Sequence, residues 1–395
     1  MSSDVHLDHL AALARLIRHH VLKATARAGS GHPTSALSAT DLMTGLVFGG
    51  SFRYDPADPD HPNNDRLIFS KGHASPLLYA LWAAAGEVSP EEMLTYREFG
   101  SRLEGHPTPR FRHAEVATGS LGQGLSIGLG MALNARALDE LPYRTYVLLG
   151  DSEMAEGSQW EAIQLAAHLG LDNLIGVLDV NRLGQRGPTM YDHDLTAYAR
   201  RLEAFGWRTV TIDGHDLQAI VDTFAEVSRG DWKPTMVIAR TVKGKGAPTV
   251  ENEDGHHGKA ITGDDLDQAL AAVGEVDLDL RGEIRPPDDR RPRVLTTAAM
   301  GRVNWHDVER AVTRDAYGQA LNRIAPAFPH LVVLDGEVSN STRARFFAGE
   351  HPDRFFEMYV AEQNMVGTAL GLERRGKLPF VSTFAAFLTR ACDQV

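Results

Sequence analysis

Asp151 and Asn181 each stand at the end of an apolar run that reads as a buried strand. Residues 144–150 (RTYVLLG) run into Asp151, and residues 173–180 (NLIGVLDV) run into Asn181. A carboxylate and an amide side by side at strand tips, next to the Gly150 turn, form a hard oxygen donor set. Such a set suits a magnesium ion that carries phosphate oxygens and fills its shell with water. The competing reading makes Asp151 a helix cap and Asn181 a turn residue. Gly119-Ser120-Leu121-Gly122-Gln123-Gly124 is a glycine-rich turn entering a helix. Backbone N–H groups at such a helix start can hold phosphate, although close helix packing explains the same glycines. Five histidines, His32, His73, His106, His256 and His257, lie in loops beside glycine or lysine. Imidazole suits proton transfer near neutrality. Glu362 begins a segment rich in small residues, where a first-turn glutamate is also favoured by the helix dipole.

The elements that must position these groups follow from periodicity. Between the two strand tips, Trp160, Ile163, Ala167 and Leu171 line one side of a helical stretch. Strand, helix, strand is a crossover unit, so the two strands are expected to be parallel. Both tips then lie at the carboxyl edge of one sheet, where open α/β sheets bind ligands. Residues 7–27 read as an amphipathic helix ending at Gly29-Ser30-Gly31. Further helices are expected at 35–48, 75–85, 120–138 and 216–229, strands at 208–212 and 235–240, and a loop at 52–66. The alternation predicts an α/β fold, a mainly parallel sheet with helices on both faces. After residue 276 the stretch 277–293 is charged and proline-bearing, as a linker would be. A helix at 314–324 and strands at 331–335 and 378–383 then begin a second α/β unit.

Composition sets bounds on function. The chain has 395 residues, a net charge of −12 and one cysteine, Cys392. The charge argues against a broad nucleic-acid surface, and an anionic substrate would need a local cationic pocket. No run of 18 apolar residues suggests a membrane span, and the first residues lack the pattern of a secretory signal, so a cytoplasmic location is expected. No glycine-rich dinucleotide motif follows the first strand with an acidic partner, which weakens a nicotinamide reading.

The segments around these residues resemble the transketolase family of thiamine diphosphate enzymes. They are SGHPTS (30–35), SKGHASPLLYA (70–80), GHPTP (105–109), ATGSLGQGL (117–125), GDSEMAEGSQWEA with LDVNRLGQ, EAFGW (203–207), KGKG (243–246), HHGK (256–259), AEQNM (361–365) and STFAAF (382–387). So many matches in order, over nearly the whole chain, are far more specific than any one. The resemblance implies a thiamine diphosphate-binding fold with a diphosphate-binding domain at 1–276, a linker at 277–309 and an incomplete pyrimidine-binding domain at 310–395. It implies magnesium (Ca2+ or Mn2+ can substitute) on Asp151, Asn181 and the backbone carbonyl of Leu183. Cofactor contacts would come from His73, Gly119, Ser120, Leu121, Gly150, Ser152, Asn181, Lys243 and Phe387. Glu362 would pair with the ring nitrogen of the aminopyrimidine, and His32, His106 and His257 would move protons at the sugar. Ser35, Arg314 and Ser341 would join His32 and His257 in binding substrate, with Arg314 and Ser341 on its terminal phosphate. The family usually has glycine at position 152. A site needing positive φ would strain Ser152, whereas any other leaves its hydroxyl near the diphosphate. His256 matches no family role.

The implied activity is reversible transfer of a two-carbon ketol unit between sugar phosphates by a homodimer. The alternatives are a non-catalytic or fragmentary relative and another thiamine enzyme such as a dihydroxyacetone synthase. The chain ends inside the second unit, and the family's third domain is expected on a longer reading frame or a separate chain. Alone, residues 1–395 are expected to be inactive.

Overall fold

The computed structural model describes residues 7–230, 232–300 and 312–395. The first unit is built on five parallel strands: β1 (Arg66–Phe69), β2 (Thr145–Gly150), β3 (Leu174–Val180), β4 (Arg208–Asp213) and β5 (Thr235–Arg240). Their order in the sheet is β1-β2-β3-β5-β4. The β2/β3 register sets Gly150 opposite Asp179, so Asp151, one residue on, and Asn181, two residues on, emerge near one another at the carboxyl edge. Alternation along β2 separates two cores. Tyr146 and Leu148 join the helices Leu7–Ala28, Thr40–Phe48, Ser75–Ala84 and Leu217–Val227 on one face. Val147 and Leu149 join the helices Gly124–Leu133, Gly157–His168 and Leu195–Ala204 on the other. Period-two side chains make both faces apolar, as a sheet covered on both sides requires.

Several elements differ from the sequence expectation. The helix expected at 35–48 is two helices, Pro33–Ser38 and Thr40–Phe48, broken at Ala39. Pro33 starts the first helix early, as its fixed φ favours. The break coincides with Ser38, whose hydroxyl bonds Ser35 O and the Asp179 carboxylate. The helix expected at 120–138 spans Gly124–Leu133 and continues as a π-helical segment, Asn134–Asp139. Strand β1 had no signal, being four residues long and hidden behind a Pro/Asp/Asn-rich loop. The helices Leu195–Ala204 and Asp264–Val273 were also unread.

The segment after 276 is laid along the first unit. Gly282 N–H bonds Ala84 O at 2.9 Å and Tyr54 N–H bonds Arg285 O at 2.8 Å. The stretch 301–309 of the expected linker, and the expected start of the second unit at 310–311, lie outside the described residues. The second unit carries a parallel sheet of order β7-β6-β8, with β6 (Leu331–Asp335), β7 (Phe355–Glu357) and β8 (Leu378–Ser382). Val332, Leu334, Met358, Met365 and Leu372 lie in the same apolar core as Leu129, Val147 and Leu178 of the first unit. The two units meet where helix Glu362–Glu373 packs on helix Gly124–Leu133. A Cβ on Gly130 would lie 2.2 Å from Thr368 O, and one on Gly371 would lie 2.1 Å from Ile127 O. Gly130 and Gly371 therefore serve backbone-to-backbone packing. Among the described residues no helix is long and apolar enough to cross a membrane.

Gly130→Ala is expected to cost about 1–3 kcal/mol by overpacking this contact. Gly157→Ala, where a Cβ meets nothing within 4 Å, is expected to be neutral or stabilising. Urea unfolding of the two variants checks the contrast, and equal midpoints would refute the tight contact.

Candidate active site

Asp151 follows β2 and is buried. Its carboxylate accepts the N–H groups of Ser152 at 2.9 Å and Arg182 at 2.7 Å, and the Thr189 hydroxyl at 3.4 Å. Arg182 reaches it from a left-handed backbone, φ +66°. Burial, reinforced by the charge of Asp179, pushes the Asp151 carboxyl up to about 6. Asn181 donates from Nδ2 to Ser38 Oγ at 3.2 Å and to Asp179 at 3.3 Å. That orients its amide oxygen toward the Leu183 loop, where it accepts Leu183 N–H at 3.2 Å. Ser152 begins a 3-10 turn, Ser152–Ala155, and is not among the positive-φ residues. A serine is unstrained there, and its hydroxyl faces Gly184.

Lys243 enters from the segment after β5. Its ammonium donates to Leu183 O at 2.7 Å and Gly184 O at 3.0 Å, and meets His257 Nδ1 at 2.9 Å. Burial, then the charge of Lys71, lowers it to about 8. These groups border a cavity of about 240 Å3 that is also lined by Ser35, Lys71, His73, Leu121, Gly150 and Glu153.

The structure brings together four histidines that local sequence could not. The His32 ring lies 5.1 Å from that of His73, 4.9 Å from His257 and 6.3 Å from His106. Burial is the first cause of lowered basicity in each. His32 falls to about 4, helped by His106, and His257 to about 3, helped by Lys243. Burial thus favours the neutral imidazole in all four at pH 7, and the Nδ1 of His257 is taken by the Lys243 ammonium. His256 stands apart from the ring cluster, its carbonyl accepting the Thr34 hydroxyl at 3.4 Å.

Three buried charges were missed from sequence. Lys71, just past β1, reaches over β2 to pair with Asp179 of β3, and donates to Ser35 O at 3.0 Å and Ser38 Oγ at 3.2 Å. Thr241 also donates to Asp179. Glu153 accepts from the Ser70 hydroxyl, from Gly122 N–H at 2.8 Å and from Gly150 N–H at 3.1 Å. It thereby ties the glycine-rich turn to the strand tips. Gly119 belongs to that turn, with φ +140° and a backbone so close to His106 that a Cβ would lie 2.8 Å from its ring. Ser120 is exposed beside it.

The remaining predicted residues lie in the second unit. Glu362 starts helix Glu362–Glu373, is buried, and accepts from Arg390 at 3.2 Å. Arg390 also bonds Glu161 at 3.0 Å. Phe387 stacks on Phe384 with centroids 5.2 Å apart, and both rings are half exposed. Arg314 is exposed on helix Thr313–Ile324, and Ser341 lies in the short helix Ser339–Thr342. None of these four residues lines the cavity, whose walls come from residues 35–257.

The donor atoms at this edge bear on which cation and anion it can hold. No cluster of three His, Cys, Asp or Glu side chains suited to a metal exists among the described residues. Asp151, Asn181 and the Leu183 carbonyl instead offer one carboxylate and two neutral oxygens, which fits a hard cation that keeps water and phosphate oxygens. The buried Ser35 hydroxyl has no partner although it faces the cavity. A buried carboxylate at Asp151 and an orphaned hydroxyl together fit a cation with an anionic ligand.

Comparison with known proteins gives the same outline. The family model "Transketolase, thiamine diphosphate binding domain" matches residues 10–280, and "Transketolase, pyrimidine binding domain" matches 309–395. Transketolase-like protein 2 of Bos taurus is 46% identical over 387 residues, covering 97% of this chain and 62% of that protein. Human transketolase is 43% identical over 393 residues, covering 98% and 62%. The chain thus spans about 62% of the length of these curated relatives. The Pichia stipitis transketolase solved with sedoheptulose-7-phosphate superposes with a TM-score of 0.82 at 25% identity, covering 98% of this chain and 66% of that one. The Leishmania mexicana transketolase shares the fold with a TM-score of 0.84 at 23% identity, with the same coverage.

The neutral histidines give a signed pH dependence. Their pKa values are lowered on folding, so between about 6.5 and 4 the unfolded chain binds more protons than the folded one. Stability is fully present above 6.5 and is lost as pH falls through that window. His257→Asn is expected to reduce the slope of unfolding free energy against pH by up to about one proton. Urea midpoints measured from pH 7 to pH 4.5 check it, and parallel curves for native and variant chains would refute it.

Proposed function

Since the chain belongs to the transketolase family, we propose that the whole protein is a transketolase. It transfers a two-carbon ketol unit reversibly from a ketose phosphate to an aldose phosphate. The observation that carries this reading is the convergence of Asp151, Asn181, the Leu183 carbonyl, Lys243 and His257 on one cavity.

In this reading Asp151, Asn181 and Leu183 hold Mg2+, with Ca2+ or Mn2+ as substitutes. Gly119, Ser120, Leu121, Gly150, Ser152, His73 and Lys243 hold the diphosphate of thiamine diphosphate. When bound, this cofactor supplies the nucleophilic carbon that takes up the two-carbon unit. His32, His106 and His257 face the sugar as neutral imidazoles that accept hydrogen bonds from its hydroxyls or donate them to a carbonyl oxygen, His257 through Nε2, and these contacts are the route by which protons move there. Ser35 contributes a hydroxyl beside them. Glu362 holds a proton at the pyrimidine ring nitrogen, Phe387 packs on that ring, and Arg314 with Ser341 grips the terminal phosphate through charge-assisted hydrogen bonds. These four residues lie off the cavity of their own chain, which favours a homodimer in which each copy completes the site of the other. The diphosphate-binding domain is then 1–276, the linker 277–309 and the pyrimidine-binding domain 310–395. The cytoplasm, where sugar phosphates are made and consumed, is the proposed location.

Calorimetric titration of the whole protein with thiamine diphosphate in Mg2+, and with NAD as control, tests the reading. Only the thiamine cofactor is expected to bind. Asp151→Ala removes the one carboxylate of the cation site and is expected to abolish Mg2+-dependent binding while leaving the fold intact. Unchanged affinity in that variant would sink the site.

Glu362→Gln keeps shape but cannot hold the proton in the same way. Exchange of the cofactor's acidic ring proton, followed by NMR, is expected to slow by on the order of a thousandfold with a modest loss of affinity. Exchange at the native rate would remove Glu362 from the mechanism.

A further inference from the structure

Lys243 sits on a segment, 241–258, that crosses the mouth of the cavity. On the cavity side Gly244 N–H bonds Thr34 O at 2.9 Å and Asn252 N–H bonds Lys243 O at 2.8 Å. Arg182 Nε bonds Asn252 Oδ1 at 2.8 Å. A second set of bonds comes from the opposite side. His215, just past β4, lies with Nε2 2.9 Å from the backbone nitrogen of Val242 and Nδ1 2.8 Å from Asp41.

The direction of these bonds is forced. Val242 N–H can only donate, so His215 Nε2 must be a bare acceptor. The ring proton is then on Nδ1 and is donated to the Asp41 carboxylate. Asp41 takes the two terminal nitrogens of Arg18 at 2.8 and 2.6 Å in a forked pair. Arg18 Nε donates to Lys245 O at 3.2 Å. The chain of contacts thus starts at the Val242 backbone, runs through His215, Asp41 and Arg18, and returns to the backbone at Lys245. It grips the residues on either side of Lys243. Glu251 adds a bond to Gly246 N–H at 2.8 Å. Arg18 and Asp41 are buried, and none of the three lines the cavity.

We propose that Arg18, Asp41 and His215 are positioning residues for Lys243. By fixing the backbone on both sides of it, they hold its ammonium at the cavity wall beside His257. This deepens, and rests on, the reading of the cavity as a thiamine diphosphate and magnesium site. Residues outside a ligand shell that orient the inner ones commonly change affinity about 10–100-fold when removed.

Two substitutions separate the bond to Val242 from a general packing role. His215→Gln places an amide oxygen near the position of Nε2 and can still accept Val242 N–H. His215→Asn places its amide near Nδ1, where it can reach Asp41 but not Val242. Hydrogen exchange of the 241–258 peptide, read by mass spectrometry without ligand, is expected to quicken in His215→Asn and stay native-like in His215→Gln. In the whole protein with Mg2+, thiamine diphosphate affinity is expected to fall about tenfold in His215→Asn and to stay within about threefold in His215→Gln. Native exchange in His215→Asn, or equal damage by both substitutions, overturns the proposal. Failure of the native protein to bind thiamine diphosphate at all would overturn the cofactor reading instead, and the exchange comparison would still decide whether His215 holds the segment.

Discussion

The ion pair between Lys71 and Asp179 is the constraint on which the carboxyl edge of the first sheet depends. Both side chains are almost fully buried, so neither charge can be left to water. Burial works to neutralise Asp179, and the Lys71 ammonium together with the Ser38 and Thr241 hydroxyls outweighs it. Ser38 and Thr241 satisfy the rest of the carboxylate. One buried charge therefore collects groups from the end of β1, from β3, from the segment after β5 and from the helix Pro33–Ser38. Breaking a buried pair by deleting one partner costs about 3–5 kcal/mol, because the other is stranded. That penalty keeps the four segments in one arrangement. It also keeps Asn181 from rotating, since its amide nitrogen is committed to Ser38 and Asp179.

The same pair has an electrostatic cost at its neighbour. Asp179 remains charged close to Asp151, and this adds to the burial that raises the Asp151 carboxyl. Three carboxylates, Asp151, Glu153 and Asp179, are buried at this edge against two lysines, Lys71 and Lys243, and Asp151 has no cation bonded to it. Its hydrogen bonds come from backbone amides and a hydroxyl. The site is built so that a positive ligand at Asp151 relieves a tension already present.

What was legible in the sequence was what repeats locally. The apolar runs ending at Asp151 and Asn181, the crossover helix and the glycine-rich turn all announced themselves through period and composition. Matching motifs then extended the reading to Lys243, His257 and Glu362. What was not legible depends on distant partners. Nothing around Lys71 in its Ser-Lys-Gly-His stretch announces burial, yet Lys71 is buried because it pairs with Asp179 on β3. Glu153 follows Asp151 closely in the chain, but its three donors come from three separate segments. The four-residue strand β1 has too few side chains to show a period. The Arg18, Asp41 and His215 chain joins a helix face, another helix and a strand end, and no local pattern links them.

The glycine-to-backbone contact between helices Gly124–Leu133 and Glu362–Glu373 changes what the linker means. The two units share one continuous core across that contact. Their association is thus held by packing. Domains joined only by a tether open and close on it, whereas a shared core couples these two. Loss of order in the second unit would strip the cover from Leu129 and its neighbours in the first. Among the described residues two sheets thus share one core, and a backbone cut between them is expected to leave the halves clasped.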